Sequence, residues 1–200
     1  MKQLLLFIVL ISCSLRAQNT EAIKEIKAHQ EEQNTQFMTK GESPLTEIDR
    51  KDFKGLEFFN IDLNYRVEAR LKRTPKTTFF EMKTTTSRVS EERIYGVLSF
   101  KIDGKEYKLN VYQGKALMTN EEYKDYLFLP FTDLTNGETS YGGGRYIDLT
   151  IPKEDTILLD FNKAYNPYCS YNSRYSCPIP PSENHLEIDV IAGVKKYKDH

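Results

Sequence analysis

The stretch "RIYGVLSFKIDGKEYKLNVYQ" at residues 93–113 limits the possible fold more than any other part of the chain. Asp103 and Gly104 supply the two-residue centre of a type I′ turn, in which both residues must take positive φ. A turn of that length fixes the register of the strands it joins. Ile102 falls opposite Lys105, Phe100 opposite Tyr107, Leu98 opposite Leu109 and Gly96 opposite Val111. The residues Leu98, Phe100, Tyr107, Leu109 and Val111 then share one face, so the turn chemistry and the apolar pattern agree. A hairpin of this kind belongs in an antiparallel sheet with one covered face.

The rest of the chain from Leu56 onward keeps the period of two. Strands are expected at 65–71, 77–83, 127–131, from Arg145, at 156–162 and at 185–193. No internal repeat, no heptad and no alternation of strand with helix occurs, which excludes a doubly wound parallel sheet. The expected fold is mainly β (α+β), with an antiparallel sheet closed into a sandwich or barrel and N-terminal helices packed on it. Residues 19–38 read as a surface helix whose stripe is Ala22, Ile23, Ile26 and Phe37, stopped by Gly41. A short helix follows, capped near Thr46 and ended by Gly55. His29 falls on the polar face of the first helix, where no ligand role is expected.

The first eighteen residues, "MKQLLLFIVLISCSLRAQ", read as a secretory leader. They have a basic start, an apolar run too short to span a bilayer, and small residues beyond. Cleavage after Ala17 or Gln18 gives an exported periplasmic or extracellular protein. Cleavage before Cys13, in "LISC", gives instead a membrane-anchored lipoprotein. Residues 19–200 are then one globular domain, with a helical segment at 19–55 and a β-rich core at 56–200. Without the leader the charge count falls from 28 basic and 29 acidic residues to 26 and 29. That balance gives no field for nucleic acid or an anionic membrane, so the only membrane link expected is a lipid on Cys13.

In "YGGGRYIDLTI" the alternation puts Arg145 on the same face as Ile147, Leu149 and Ile151, at its open end. A guanidinium there must be paired, because an unpaired buried charge costs several kcal/mol. Candidate partners are Asp133, Asp160 or an anionic group of a ligand. The backbone N–H groups of Gly142, Gly143 and Gly144 suit a carboxylate or phosphate. Farther on, Asp160 and Asn162 lie in one row of "TILLDFN". "AYNPYC" and "CPIPP" then form a stiff, polar, aromatic loop. These residues, with Tyr141, Tyr165, Asn166 and Tyr168, make up the expected ligand-binding wall.

Cys169 and Cys177 enclose seven residues. A disulfide is the expected state in an oxidising compartment, worth roughly 2–3 kcal/mol in the chain-entropy model. A reactive thiol served by His185 is the second reading. Metal is the third, but with His29, His185 and His200 as the only histidines the spacing matches no common zinc pattern. No metal or cofactor is expected. P-loop, Rossmann, G-x-S-x-G and H-E-x-x-H motifs are absent.

Four segments carry a family resemblance: "PFTDLTNGETSYGGGRYIDL", "DFNKAYNPYC", "CPIPP" and "ENHLEIDVIAG", with "FKGLEFFNID" upstream. Together they resemble a bacterial and archaeal family known as domain of unknown function 1684. The chain departs from that pattern after Gly193, where Val194 stands in place of a glutamate. The resemblance implies no activity. It does imply that the two cysteines also occur in members without a leader, which keeps the thiol and metal readings open beside the disulfide.

Three functions follow as expectations. The first is an exported protein binding a small polar or anionic ligand near Arg145. The second is a hydrolase or lyase using Asp133 or Asp160 as general base at the same site. The third is a structural surface module without a small-molecule site.

Overall fold

The computed structural model describes the backbone of residues 2–198 and the side chains of residues 18–198. The leader and the candidate lipid site at Cys13 therefore lie outside the described side chains. Helix α1 spans Lys2–Met38, and Gly41, at φ +96°, follows its end. Helix α2, Glu47–Asp52, is capped by Thr46, whose side chain accepts from the Asp49 N–H. Among the described residues, no helix is long and apolar enough to cross a membrane.

Eight strands follow: β1 (Arg66–Arg73), β2 (Phe80–Lys83), β3 (Val89–Ile102), β4 (Lys105–Gly114), β5 (Tyr126–Asp133), β6 (Arg145–Thr150), β7 (Thr156–Asp160) and β8 (His185–Leu186). They run in the order β6-β5-β4-β3-β1-β7, with β2 on β3 and β8 parallel to β5. The β3–β4 hairpin has the register that its turn dictates, and Asp103 and Gly104 both take positive φ. A bulge between Ile94 and Gly96 bends β3. A Cβ at Gly96 would sit 2.6 Å from Leu71 Cδ1 and 2.8 Å from the Lys72 carbonyl, so only glycine lets β1 come this close.

The sheet curls into a half-barrel. Phe131 on β5 and Phe161 just after β7 have ring centroids 5.3 Å apart. In a flat sheet strands four places apart would be separated by about 19 Å. No ladder joins β6 to β7 among the described residues. One bridge links β6 to the chain beyond β7, with Tyr146 N–H donating to Tyr165 O at 2.9 Å and Tyr165 N–H donating back at 3.0 Å. The expected closure into a sandwich or barrel thus reduces to an antiparallel, curled half-barrel with one long N-terminal helix.

The concave face holds the main core, including Leu98, Phe100, Leu109, Val111, Leu129, Phe131, Ile147 and Phe161. The stretch expected as a strand at 185–193 is strand only at His185–Leu186. Beyond it the chain runs irregularly over the open end of the core and buries Val190, Ala192 and Val194. A second structural device sits where β4 meets β5. The register puts Asn110 opposite Pro130, which has no N–H to donate. The buried carboxamide of Asn184 replaces the missing rung. Its Oδ1 accepts from Asn110 N–H at 2.9 Å, and its Nδ2 donates to Asn110 O at 2.8 Å and Pro130 O at 2.7 Å.

Candidate functional site

Arg145 is on the face that the alternation gives it, but that end of the core is not open. The side chain is completely buried, between the rings of Phe59 and Phe131. Its Nη2 donates to Asp133 Oδ2 and to Val190 O, both at 2.8 Å, and its Nη1 to Ala192 O. Asp133 is consumed as well: its Oδ1 accepts from Thr135 N–H, Thr135 Oγ1 and Val190 N–H. The pair is a clamp that holds the C-terminal crossing segment, and every acceptor it satisfies belongs to the protein. The Nη donors expected to hold an anion are thus engaged by the protein, and the buried Nε–H has no partner among the described residues.

Gly142 and Gly143 are exposed, while Gly144 is buried with its N–H donated to Tyr141 O at 3.1 Å. A Cβ on Gly144 would meet Phe131 O at 2.6 Å, so this glycine serves close backbone packing. Asp160 pairs with Arg66 Nη1 at 2.5 Å, not with Arg145. Its Oδ1 caps the turn at Asn162, whose carboxamide is also tied to the backbone of Asp62. Asp133 and Asp160 are both buried, and each is ion-paired with an arginine.

The structure has a cleft elsewhere, on the convex side of the sheet. Its volume is about 1100 Å³, and it lies between α1, the outer faces of β3, β5 and β6, and residues 163–178. Of the residues expected from sequence, Tyr165, Asn166, Tyr168 and Cys177 contribute atoms to its lining, while Tyr141 and the more exposed Cys169 do not. Others could not be reached from local pattern. His29, Glu32 and Gln33 come from α1, Glu92 from β3, Tyr126 and Phe128 from β5, and Tyr146 and Asp148 from β6. His29, expected to be idle, thus faces the site. The available signal was the outward rows of β5 and β6, which carry Tyr126, Phe128, Tyr146 and Asp148. Aromatic residues on an outward row mean that something covers it.

The floor of the cleft is an aromatic layer. Phe128 and Tyr146 meet edge to face at 4.7 Å, and Tyr146 and Tyr165 at 5.8 Å. Asp148 Oδ1 accepts from both the Tyr126 and Tyr165 hydroxyls at 2.6 Å. Burial and the Asp148 charge push both tyrosines up, so they stay protonated donors. Glu92 is 6 % exposed and lies over Gly114, where a Cβ would meet its Oε1 at 3.1 Å. The bare backbone of Gly114 is what makes room for the carboxyl. Burial raises the pKa of Glu92, and Ser90 Oγ donates to its Oε1 at 2.7 Å.

Four residues of this lining carry a buried polar atom with no partner among the described residues. The atoms are His29 Nε2, Gln33 Oε1, Glu92 Oε2 and Asn166 Oδ1. Burial lowers the pKa of His29 and so favours the neutral ring, in which one nitrogen is an acceptor. Three of the four are oxygens of carboxyl or carboxamide groups, which can accept a hydrogen bond, and the fourth is an imidazole nitrogen. The charges have the same bias. Glu32, Glu42, Glu92 and Asp148 line the cleft against the single ammonium of Lys163, which Glu25 engages. No group of three or more metal-ligating side chains occurs among the described residues.

The chain matches the model of a family described as a protein of unknown function, DUF1684, over residues 51–195. The solution NMR structure of an uncharacterized protein from Haloarcula marismortui is similar to it, with 34 % sequence identity and a TM-score of 0.71. That likeness covers 92 % of this chain and 99 % of the archaeal one. No curated protein matches the chain.

Proposed function

Because the chain belongs to the DUF1684 family, whose description carries no activity, we propose its function from the cleft: it binds a small polar molecule rich in hydrogen-bond donors. The observation that carries this reading is that four residues with a buried, unpartnered polar atom, on α1, β3 and the segment after β7, line one aromatic-floored cleft. Leaving a buried polar atom unpaired costs about 1–3 kcal/mol. Four in one cleft is a cost that a ligand with several N–H or O–H groups offsets. The acidic lining selects an uncharged or cationic ligand over the anion expected at Arg145. The tyrosine rings suit the flat apolar face of such a molecule, or its positive charge.

The hydrolase or lyase alternative loses Asp133 and Asp160, which are both spent on protein partners. The reading of a structural module without a small-molecule site has no role for the orphaned acceptors. The leader pattern of residues 1–18 supports a binding function outside the cytoplasm, with Cys13 as the alternative point of attachment.

One preparation tests these points together. Protein recovered without denaturation from the envelope of its native host is analysed by mass spectrometry, both the chain and whatever small molecule it releases. The expected result is a chain beginning near Gln18 and a donor-rich, non-anionic ligand. Glu92→Gln and Gln33→Leu should each weaken its retention about tenfold, the loss of one hydrogen bond to the ligand. An anionic ligand, or retention unchanged in both variants, would overturn the reading.

A further inference from the structure

We propose that Cys169 and Cys177 form a dithiol oxidation site, in which Cys169 attacks a small hydroperoxide and Cys177 then closes a disulfide with it. This inference is independent of what the cleft binds. It begins from placement. Both cysteines are free thiols, and the turn Tyr168–Ser170 brings the first back onto the second. The Cys169 backbone N–H donates to Cys177 Sγ at 3.2 Å, and the two thiols are hydrogen-bond partners of one another.

The pair is asymmetric in the way such chemistry requires. Cys169 is half-buried and reachable, whereas Cys177 is 8 % exposed. Hydrogen-bond donors converge on Cys169: the Cys177 thiol, the Tyr141 hydroxyl at 3.9 Å, and Thr85. Accordingly the Cys177 hydrogen bond, ahead of Tyr141 and Thr85, lowers the Cys169 pKa to about 6, while Cys169 and burial raise that of Cys177. The thiolate is thereby favoured on the more exposed sulfur and the proton on the covered one, the order that attacking and resolving roles require. The restricted access favours a small oxidant over a bulky disulfide.

The backbone is arranged to match. Cys177 is strapped to the chain beyond β2, with Thr85 N–H donating to Cys177 O at 2.9 Å and Cys177 N–H to Thr85 Oγ1 at 3.1 Å. Ile179 N–H adds a bond to Lys83 O at 2.8 Å. The resolving sulfur is therefore held on the sheet, and the attacking sulfur sits on a short turn that can advance toward it. In the first step the Cys169 thiolate attacks the terminal peroxide oxygen. An S–O bond forms, the O–O bond breaks, and the departing alkoxide or hydroxide takes a proton from water. The sulfur, now a sulfenic acid, has lost two electrons to the peroxide. In the second step Cys177 sulfur attacks Cys169 sulfur. The S–S bond forms, the S–OH bond breaks, and the released hydroxide leaves as water with the Cys177 proton. Closure ties the turn that carries Tyr168, a wall of the cleft, to the sheet.

The test uses the full mature chain, reduced and freed of reductant. One equivalent of hydrogen peroxide at pH 7 should give a Cys169–Cys177 disulfide by non-reducing peptide mapping. Under the same treatment Cys177→Ser should give a Cys169 sulfenic acid that dimedone traps. In unmodified protein, which requires no variant to fold, iodoacetamide should label Cys169 ahead of Cys177, with a rate midpoint near pH 6. An ordinary thiol midpoint of roughly 8.5 at Cys169, faster labelling of Cys177, or no dimedone adduct in Cys177→Ser would each overturn the proposal.

Discussion

Replacing Arg145 by methionine keeps most of the side-chain volume and removes the guanidinium that the C-terminal crossing is built on. Asp133 would lose its only charged partner among the described residues, and Val190 O and Ala192 O would lose their guanidinium donors. Breaking a buried ion pair from one side costs about 3–5 kcal/mol. The two carbonyls add about 1 kcal/mol each if local shifts re-pair part of the loss. The expected total of about 5–7 kcal/mol compares with a whole-domain stability of about 5–15 kcal/mol. Arg145→Met should therefore leave the protein marginally folded at best. Arg145→Lys keeps the charge and can serve Asp133 with one carbonyl, so a loss of about 2–3 kcal/mol is expected from the missing hydrogen bonds. Urea denaturation followed by circular dichroism measures both, read as a shift in midpoint at unchanged slope. Amide exchange should localise the first loosening of Arg145→Lys to residues 190–194. If Arg145→Met lost less than about 1 kcal/mol, the clamp reasoning would be wrong, because a buried carboxylate cannot be orphaned so cheaply. Loss of ligand retention with stability intact would instead restore the guanidinium as a binding group.

Asn184→Ala should cost about 3–4 kcal/mol by the same urea assay, since it strands Asn110 N–H, Asn110 O and Pro130 O between β4 and β5. Amide exchange at Asn110 should rise while the Asp103-Gly104 turn stays protected. Stability within 1 kcal/mol of wild type would mean that water replaces the rung. For Glu92, burial holds the folded pKa above that of the unfolded chain. The folded state then binds more protons than the unfolded one across that window, and stability falls as pH rises through it. In ligand-free protein, Glu92→Gln should flatten this limb of the stability–pH curve and raise the melting temperature at neutral pH. An unchanged curve would remove Glu92 from the list of strained groups.

The parity of each strand was written in the sequence. Asp103 and Gly104 admit one turn geometry, a two-residue turn admits one register, and the apolar residues of both strands then fall on one side. The same local rule put Arg145 on the core face and made Asp133 one of its candidate partners, as the 2.8 Å contact has it. Parity says which side of a sheet a residue occupies; it does not say what will lie against that side. Whether the end of the core at Arg145 is open depends on residues 187–194. They alternate like a strand, yet cross the core irregularly because their carbonyls are claimed by a guanidinium far away in sequence. The cleft is more remote still from local pattern. His29 and Gln33 share it with Glu92 and Asn166 only because α1 docks beside the outer face of a sheet curled enough for Tyr146 to meet Tyr165. A helix read alone exposes those polar side chains to water, and only docking removes the water from around them. Short-range sterics and alternation therefore determine registers and faces. Contacts between distant segments determine which polar groups are buried without partners, and so where a ligand has something to satisfy.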